Sequence, residues 1–190
     1  MKISPKYSHD SFGPDPTLDD KIAVYEDRVL GWQLDIAELI RSEIENAPPG
    51  SQWQHAAFGL LNCLVSYFEM IAQYRSGRSS SGKSGQFFRD GLEEVFPRSF
   101  KPDEMEAIYS GVRCGLYHNA MTKRRVVLSG DFPNAVNTGL DASGDIVALI
   151  NPHRLSPVLV KHFQEYVAKL RDPSNTTLRS NFEQFFDQHG

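Results

Sequence analysis

The 190 residues suffice for one domain with a substantial core, since 40% are hydrophobic and 11% aromatic. A net charge of −4 excludes wholesale charge-driven binding to nucleic acid or membrane, and two cysteines exclude a disulfide framework. The charge is uneven: residues 1–50 hold five Lys/Arg against ten Asp/Glu, residues 51–130 ten against seven, and residues 131–190 five against seven. Only the middle third is basic.

Residues 1–16 are polar and Pro-rich and read as an extended N-terminal lead-in. They lack the apolar run of a signal peptide, and no stretch reaches membrane-spanning length, so a cytoplasmic protein with no membrane partner is expected. Residues 17–190 read as one domain. Thr17 with Asp20 makes a helix start, and Ile22, Tyr25, Val29, Trp32, Ile36, Leu39 and Ile40 predict one long amphipathic helix to about Asn46. Ala47-Pro-Pro-Gly50 ends it.

Ser51 with Gln54 opens a second helix, to about Tyr74, that is apolar on most of its circumference. His55, Asn62, Ser66, Glu69 and Gln73 fall on one line of it, because steps of seven, four, three and four return to the same face. That line is either a solvent edge or a polar wall facing a cleft, with Glu69 its one carboxylate.

The next segment, Gly77-Arg-Ser-Ser-Ser-Gly82-Lys83-Ser84, matches the phosphate-loop expression G-x-x-x-x-G-K-S. That chemistry needs a buried strand before the loop and a helix after it. A helix precedes it here, and no downstream strand ends in a magnesium-holding acid, so a surface linker is expected. A short helix through Phe87, Phe88, Leu92 and Val95 stops at Pro97, and Pro102 opens another with Asp103 and Glu104 in its first turn.

That last helix runs into Ile108-Tyr-Ser-Gly-Val-Arg-Cys-Gly-Leu-Tyr-His-Asn-Ala-Met121. After it, Arg125 to Leu128, Ala135 to Thr138 and Asp145 to Ile150 read as strands separated by turns, a small antiparallel hairpin or three-stranded sheet inserted at about 124–150. Ser156-Pro157 then starts a helix, and a last one follows Asp172-Pro-Ser-Asn175. The fold class is mainly α with a small β insert.

Arg113-Cys-Gly-Leu-Tyr-His118 is an R-x4-H arrangement near the end of an amphipathic helix, within the basic third. It resembles the motif of the HEPN superfamily, helical-bundle proteins of which many are metal-independent endoribonucleases of toxin, defence and RNA-processing systems. The resemblance covers roughly Ser51 to Met121 and does not account for the β insert. It implies a HEPN-like bundle, a homodimer whose motif helices share one cleft, RNA as substrate, and an antitoxin or other protein as a partner. Arg113 and His118 would be catalytic, with Glu69, Asn119 and Tyr117 supporting them. Active members usually carry Asn, Asp or His directly after the arginine, where this chain has Cys114.

The chemistry fits the residue types. Cleavage by an adjacent ribose 2′-OH needs a proton acceptor, charge stabilisation of the phosphorane and a proton for the leaving oxygen. His118 exchanges a proton near neutral pH, Arg113 presents a fork of donors to phosphate oxygens, Tyr117 offers a ring for stacking, and Lys123, Arg124 and Arg125 offer charge to an RNA backbone. Five residues along an ideal helix separate Arg113 from His118 by about 140°, so one helix alone splays them. Two other readings stand beside this one: a silent HEPN-like module binding RNA, nucleotide or protein, and a purely structural network in which Arg113 pairs with Glu69 and His118 caps a helix end. The remaining histidines show no metal-ligand spacing, so no metal or cofactor is expected.

Overall fold

A computed structural model describes residues 2–119 and 121–189, without the side chains of Gln54 and Asn119. The first long helix is α1 (Leu18–Val29) and α2 (Asp35–Asn46), joined without a break by a five-residue π-turn at Leu30–Leu34. Its start is the expected reciprocal cap: Thr17 Oγ1 accepts from Asp20 N–H at 3.2 Å, and the Asp20 carboxylate accepts from Thr17 N–H at 2.9 Å. The sequence period did not show the π-turn: its inserted residue rotates the buried face by about 100°, so Leu34 and Ala37 turn inward and Trp32, Ile36 and Leu39 of the expected stripe are exposed.

The lead-in is not extended. Residues 2–8 double back through a bridge between Lys2 and Ser8, and Lys6 N–H donates to Asp27 of α1 at 2.7 Å.

Helix α3 (Ala57–Ser76) lies at the centre, touching α2, α4 (Ser84–Val95), α7 (Pro152–Arg171) and α8 (Thr176–His189). Its apolar circumference demands this, since Leu60, Leu64, Tyr67 and Ile71 are fully buried. An aromatic cluster fills the space beside it: the Tyr25 ring sits 4.1 Å from Tyr74, 5.3 Å from Phe182 and 5.5 Å from Phe163. Each such fully buried large apolar side chain contributes about 1.5–3 kcal/mol.

The motif helix is α5 (Pro102–Ile108), a second π-turn at Tyr109–Arg113, and α6 (Cys114–Asn119). Phe88 of α4 packs on Tyr109 with ring centroids 5.4 Å apart. Beyond α6 comes a three-stranded sheet of β1 (Val126–Leu128), β2 (Val136–Leu140) and β3 (Ile146–Ile150), in the order β1-β3-β2. The β2–β3 pair is the expected antiparallel hairpin, but β1 joins β3 in parallel, so the sheet is mixed. Ala148 and Ile150 of β3 turn inward and are buried.

Helix α7 begins earlier than Ser156-Pro157. The buried Asn151 accepts from the N–H groups of His153 and Arg154 at 3.1 and 3.2 Å, and Pro152 fills the first turn, leaving Pro157 inside the helix. The same Asn151 amide donates to Gly130 O and Phe132 O, both at 2.8 Å, which ties the insert to the bundle.

Candidate functional site

The polar line on α3 is half solvent edge and half wall. His55 and Asn62 are exposed, whereas Ser66, Glu69 and Gln73 are half-buried and each has a partner from another element. The two π-turns supply the partners of Ser66 and Glu69, and the 77–84 loop that of Gln73. In a π-turn the hydrogen bond spans five residues, as from Asp35 N–H to Leu30 O and from Cys114 N–H to Tyr109 O. The first aims Gln33 at α3, where its amide donates to Cys63 O at 2.8 Å and Ser66 Oγ at 3.1 Å. The second aims Arg113 at Glu69, with Nη2 donating to Oε2 at 3.1 Å.

Arg113 is held on two sides. Glu69 takes one terminal nitrogen, and the Tyr117 ring, one helical turn on, lies 4.6 Å from the guanidinium carbon, within cation–π range. Both members of the ion pair are mostly shielded, with 18% and 15% of their side-chain surfaces exposed. The Arg113 Nε donor is buried and has no partner among the described residues. The second Glu69 oxygen accepts from Ser80 Oγ at 2.7 Å, and Ser80 N–H donates to Gln73 Oε1 at 2.9 Å. The segment expected to be a free linker is therefore pinned at its middle to the partner of the motif arginine.

Cys114 is turned to a different neighbour. Its side chain hydrogen-bonds Tyr109, and this bond, with burial next, raises the Tyr109 phenol above its ordinary value. Both cysteines are half-buried free thiols, and burial pushes the Cys63 thiol up. His118 is exposed and has no hydrogen-bond or ion-pair partner among the described residues. Arg113 closes the π-turn and His118 lies in the α6 turns that follow, which by ideal helical spacing puts the two on different faces of the motif helix, about 140° apart. The Asn119 side chain lies outside the described residues.

The basic run after the motif is on the far side of the helix. The chain doubles back over Gly111 and Gly115, with Lys123 N–H donating to Gly111 O at 2.9 Å. A side chain at Gly115 would meet Met121 O and Lys123 N at 2.7 Å, so only glycine admits that return. Gly115 is about 200° round the helix from Arg113. Lys123 and Arg124 are exposed and share a groove with Asp103 and Glu106. Arg125, in the left-handed region at φ 71°, forms ion pairs with Asp141 and Asp145 at the hairpin turn.

The structure thus brings together Arg113, Glu69 and Tyr117, and places His118 and Lys123 to Arg125 elsewhere. Sequence reasoning missed Ser80 and Gln33. For Ser80 the phosphate-loop match drew attention to the segment for a different reason; for Gln33 there was no signal.

Among the described residues, no three His, Cys, Asp or Glu side chains group as they would around a metal ion, and no helix is long and apolar enough to cross a membrane. The chain has no significant match among protein-family models, curated proteins or solved structures.

Proposed function

We propose that this chain is a HEPN-type domain that acts on RNA, as a metal-independent endoribonuclease whose site is completed by a second copy. The observation that carries the reading is the exposed His118, which has no hydrogen-bond or ion-pair partner among the described residues, where a structural network would have it cap a helix end; the Glu69–Arg113 pair at 3.1 Å is common to both readings. The buried Arg113 Nε has no partner among the described residues, which costs about 1–3 kcal/mol, and a shift of the side chain toward a phosphate would satisfy it. His118 is exposed, as a proton-transfer group meeting a substrate must be. Because the two groups point apart on one helix, the proposed site takes Arg113 from one chain and His118 from its partner copy. An antitoxin or other protein partner would act by covering that cleft.

The test is cleavage of a single-stranded oligoribonucleotide in excess chelator. Arg113→Ala and His118→Ala should each abolish it. Mixing the two inactive variants should restore roughly a quarter of wild-type activity, since about half the dimers are mixed and each mixed dimer rebuilds one intact site. Cleavage surviving both single substitutions sinks the catalytic assignment, and absence of rescue sinks the shared site.

One observation favours a second reading, a silent RNA-binding module. Cys114 stands where active members carry a polar group, and it is engaged by Tyr109. RNA binding without cleavage, lost in Arg113→Ala, would select that reading.

A further inference from the structure

We propose that the Gly/Ser-rich loop at residues 77–84, rather than Lys123 to Arg125, is the arm that grips the RNA backbone beside Arg113. This rests on the RNA-directed reading above and adds which surface the polyanion crosses.

The loop's middle is fixed to the site by the Ser80 bonds to Glu69 and Gln73 at 2.7 and 2.9 Å. Its two cations lie close to that anchor along the backbone. Arg78 N–H donates to Gln73 O at 3.3 Å, and Lys83 N–H donates to Ser80 O at 2.7 Å. Both side chains are exposed, and neither has an ion-pair or hydrogen-bond partner among the described residues. Of the acids on the flanking helices α3 and α4, Glu69 is engaged by Arg113 and Glu94 by Arg75 at 3.0 Å, and Asp90 is exposed beyond the first turn of α4. The loop therefore presents unneutralised positive charge on the side of the motif helix that carries Arg113. Ser79 and Ser81, also exposed, add hydroxyl donors suited to phosphate oxygens.

The alternative arm is weaker on three counts. Lys123 and Arg124 share their groove with Asp103 and Glu106, which cancel much of its field. Arg125 is paired with Asp141 and Asp145. The whole run follows Gly111 and Gly115, on the face turned away from Glu69.

The experiment compares wild type, Arg78→Ala/Lys83→Ala and Lys123→Ala/Arg124→Ala in binding a fluorescein-labelled oligouridylate, by anisotropy over a range of salt concentrations. Losing two phosphate contacts should lower affinity roughly tenfold and flatten the log–log salt slope by about 1.4, at about 0.7 per single-strand contact. The Lys123/Arg124 variant should stay within about twofold of wild type with its salt slope intact. All four positions are exposed, and circular dichroism confirms that each variant is folded. Equal binding by wild type and the loop variant overturns the proposal while leaving the RNA-directed reading standing. Tighter binding by the loop variant also overturns it, and makes the loop a cover. No binding by wild type itself removes both.

Discussion

Two helices of this protein carry a five-residue π-turn, and the turns meet α3 at Ser66 and Glu69, one helical turn apart. The first delivers a neutral amide, and both bonds from Gln33 Nε2 end on α3 itself. The second delivers a cation that gives one nitrogen to Glu69 and keeps a buried Nε without a partner among the described residues. The same backbone device thus serves two purposes. A π-turn re-aims a side chain, and the chemistry of what it aims decides whether the result is a clamp or a site.

The largest expected difference between the two turns is electrostatic. Glu69→Ala leaves the Arg113 charge mostly shielded and unpaired, which should cost about 2–3 kcal/mol in urea unfolding, less than a fully buried pair because some solvent remains. Ser66→Ala removes one neutral hydrogen bond and should cost about 1 kcal/mol. Binding of the same oligouridylate separates the turns further. Glu69→Gln should tighten RNA severalfold by releasing the guanidinium, while Ser66→Ala leaves affinity unchanged. Equal stability losses together with equal affinities would erase the distinction.

This difference was only partly legible in the sequence. The apolar period of residues 17–46 and 51–74 gave the helices, the Thr17–Asp20 cap was readable from residue types alone, and the single line of Ser66, Glu69 and Gln73 followed from 3.6-residue geometry. The pairing of Arg113 with Glu69 was foreseen as part of a purely structural network, without the His118 helix cap that went with it. What could not be read was local register and long-range contact. The apolar spacing runs on unbroken through Trp32, Ile36 and Leu39, which the first π-turn leaves exposed while Leu34 and Ala37 turn inward, so neither π-turn announced itself. Ser80 looked like linker because its two partners are 7 and 11 residues upstream across a turn. The parallel pairing of β1 with β3 and the early start of α7 depend on contacts that strand pattern and proline position do not encode.

Packing at the glycines of the two turns offers a smaller contrast. A Cβ on Gly111 would lie 2.7 Å from Val126 Cγ2, inside the seam between the motif helix and β1. Gly111→Ala should therefore cost about 1–2 kcal/mol, overpacking outweighing the helix preference of alanine. A Cβ on Gly31 would lie 2.5 Å from Pro5 Cγ, in the lead-in that rests on the first turn. That segment is held by a few bonds and can shift. Gly31→Ala should leave the unfolding free energy within about 0.5 kcal/mol of wild type and instead expose residues 2–16 to limited proteolysis. A cooperative loss at Gly31 as large as that at Gly111 would show the lead-in to be part of the core.

The hold on that lead-in is itself acid-sensitive, which gives the smallest effect. Asp27 sits one turn before the first π-turn and is buried; burial opposes its charge, but hydrogen bonds from Ser4 and from Lys6 N–H, with the Lys6 ammonium 3.6 Å away, outweigh it. Its carboxyl is therefore held below the ordinary 3.8. A folded-state value below the unfolded one means that Asp27 contributes its full stabilisation above about pH 4 and loses it as the pH falls through the lower value. Cleavage in residues 2–16 by the acid-active protease pepsin should accelerate below pH 4, with the bundle's far-ultraviolet dichroism unchanged. Asp27→Asn should show the faster cleavage already at the upper end of the pepsin range and flatten its pH dependence. At the second π-turn the returning chain is held by a backbone bond, from Lys123 N–H to Gly111 O at 2.9 Å, which should not open over the same interval, as amide exchange at Lys123 would register.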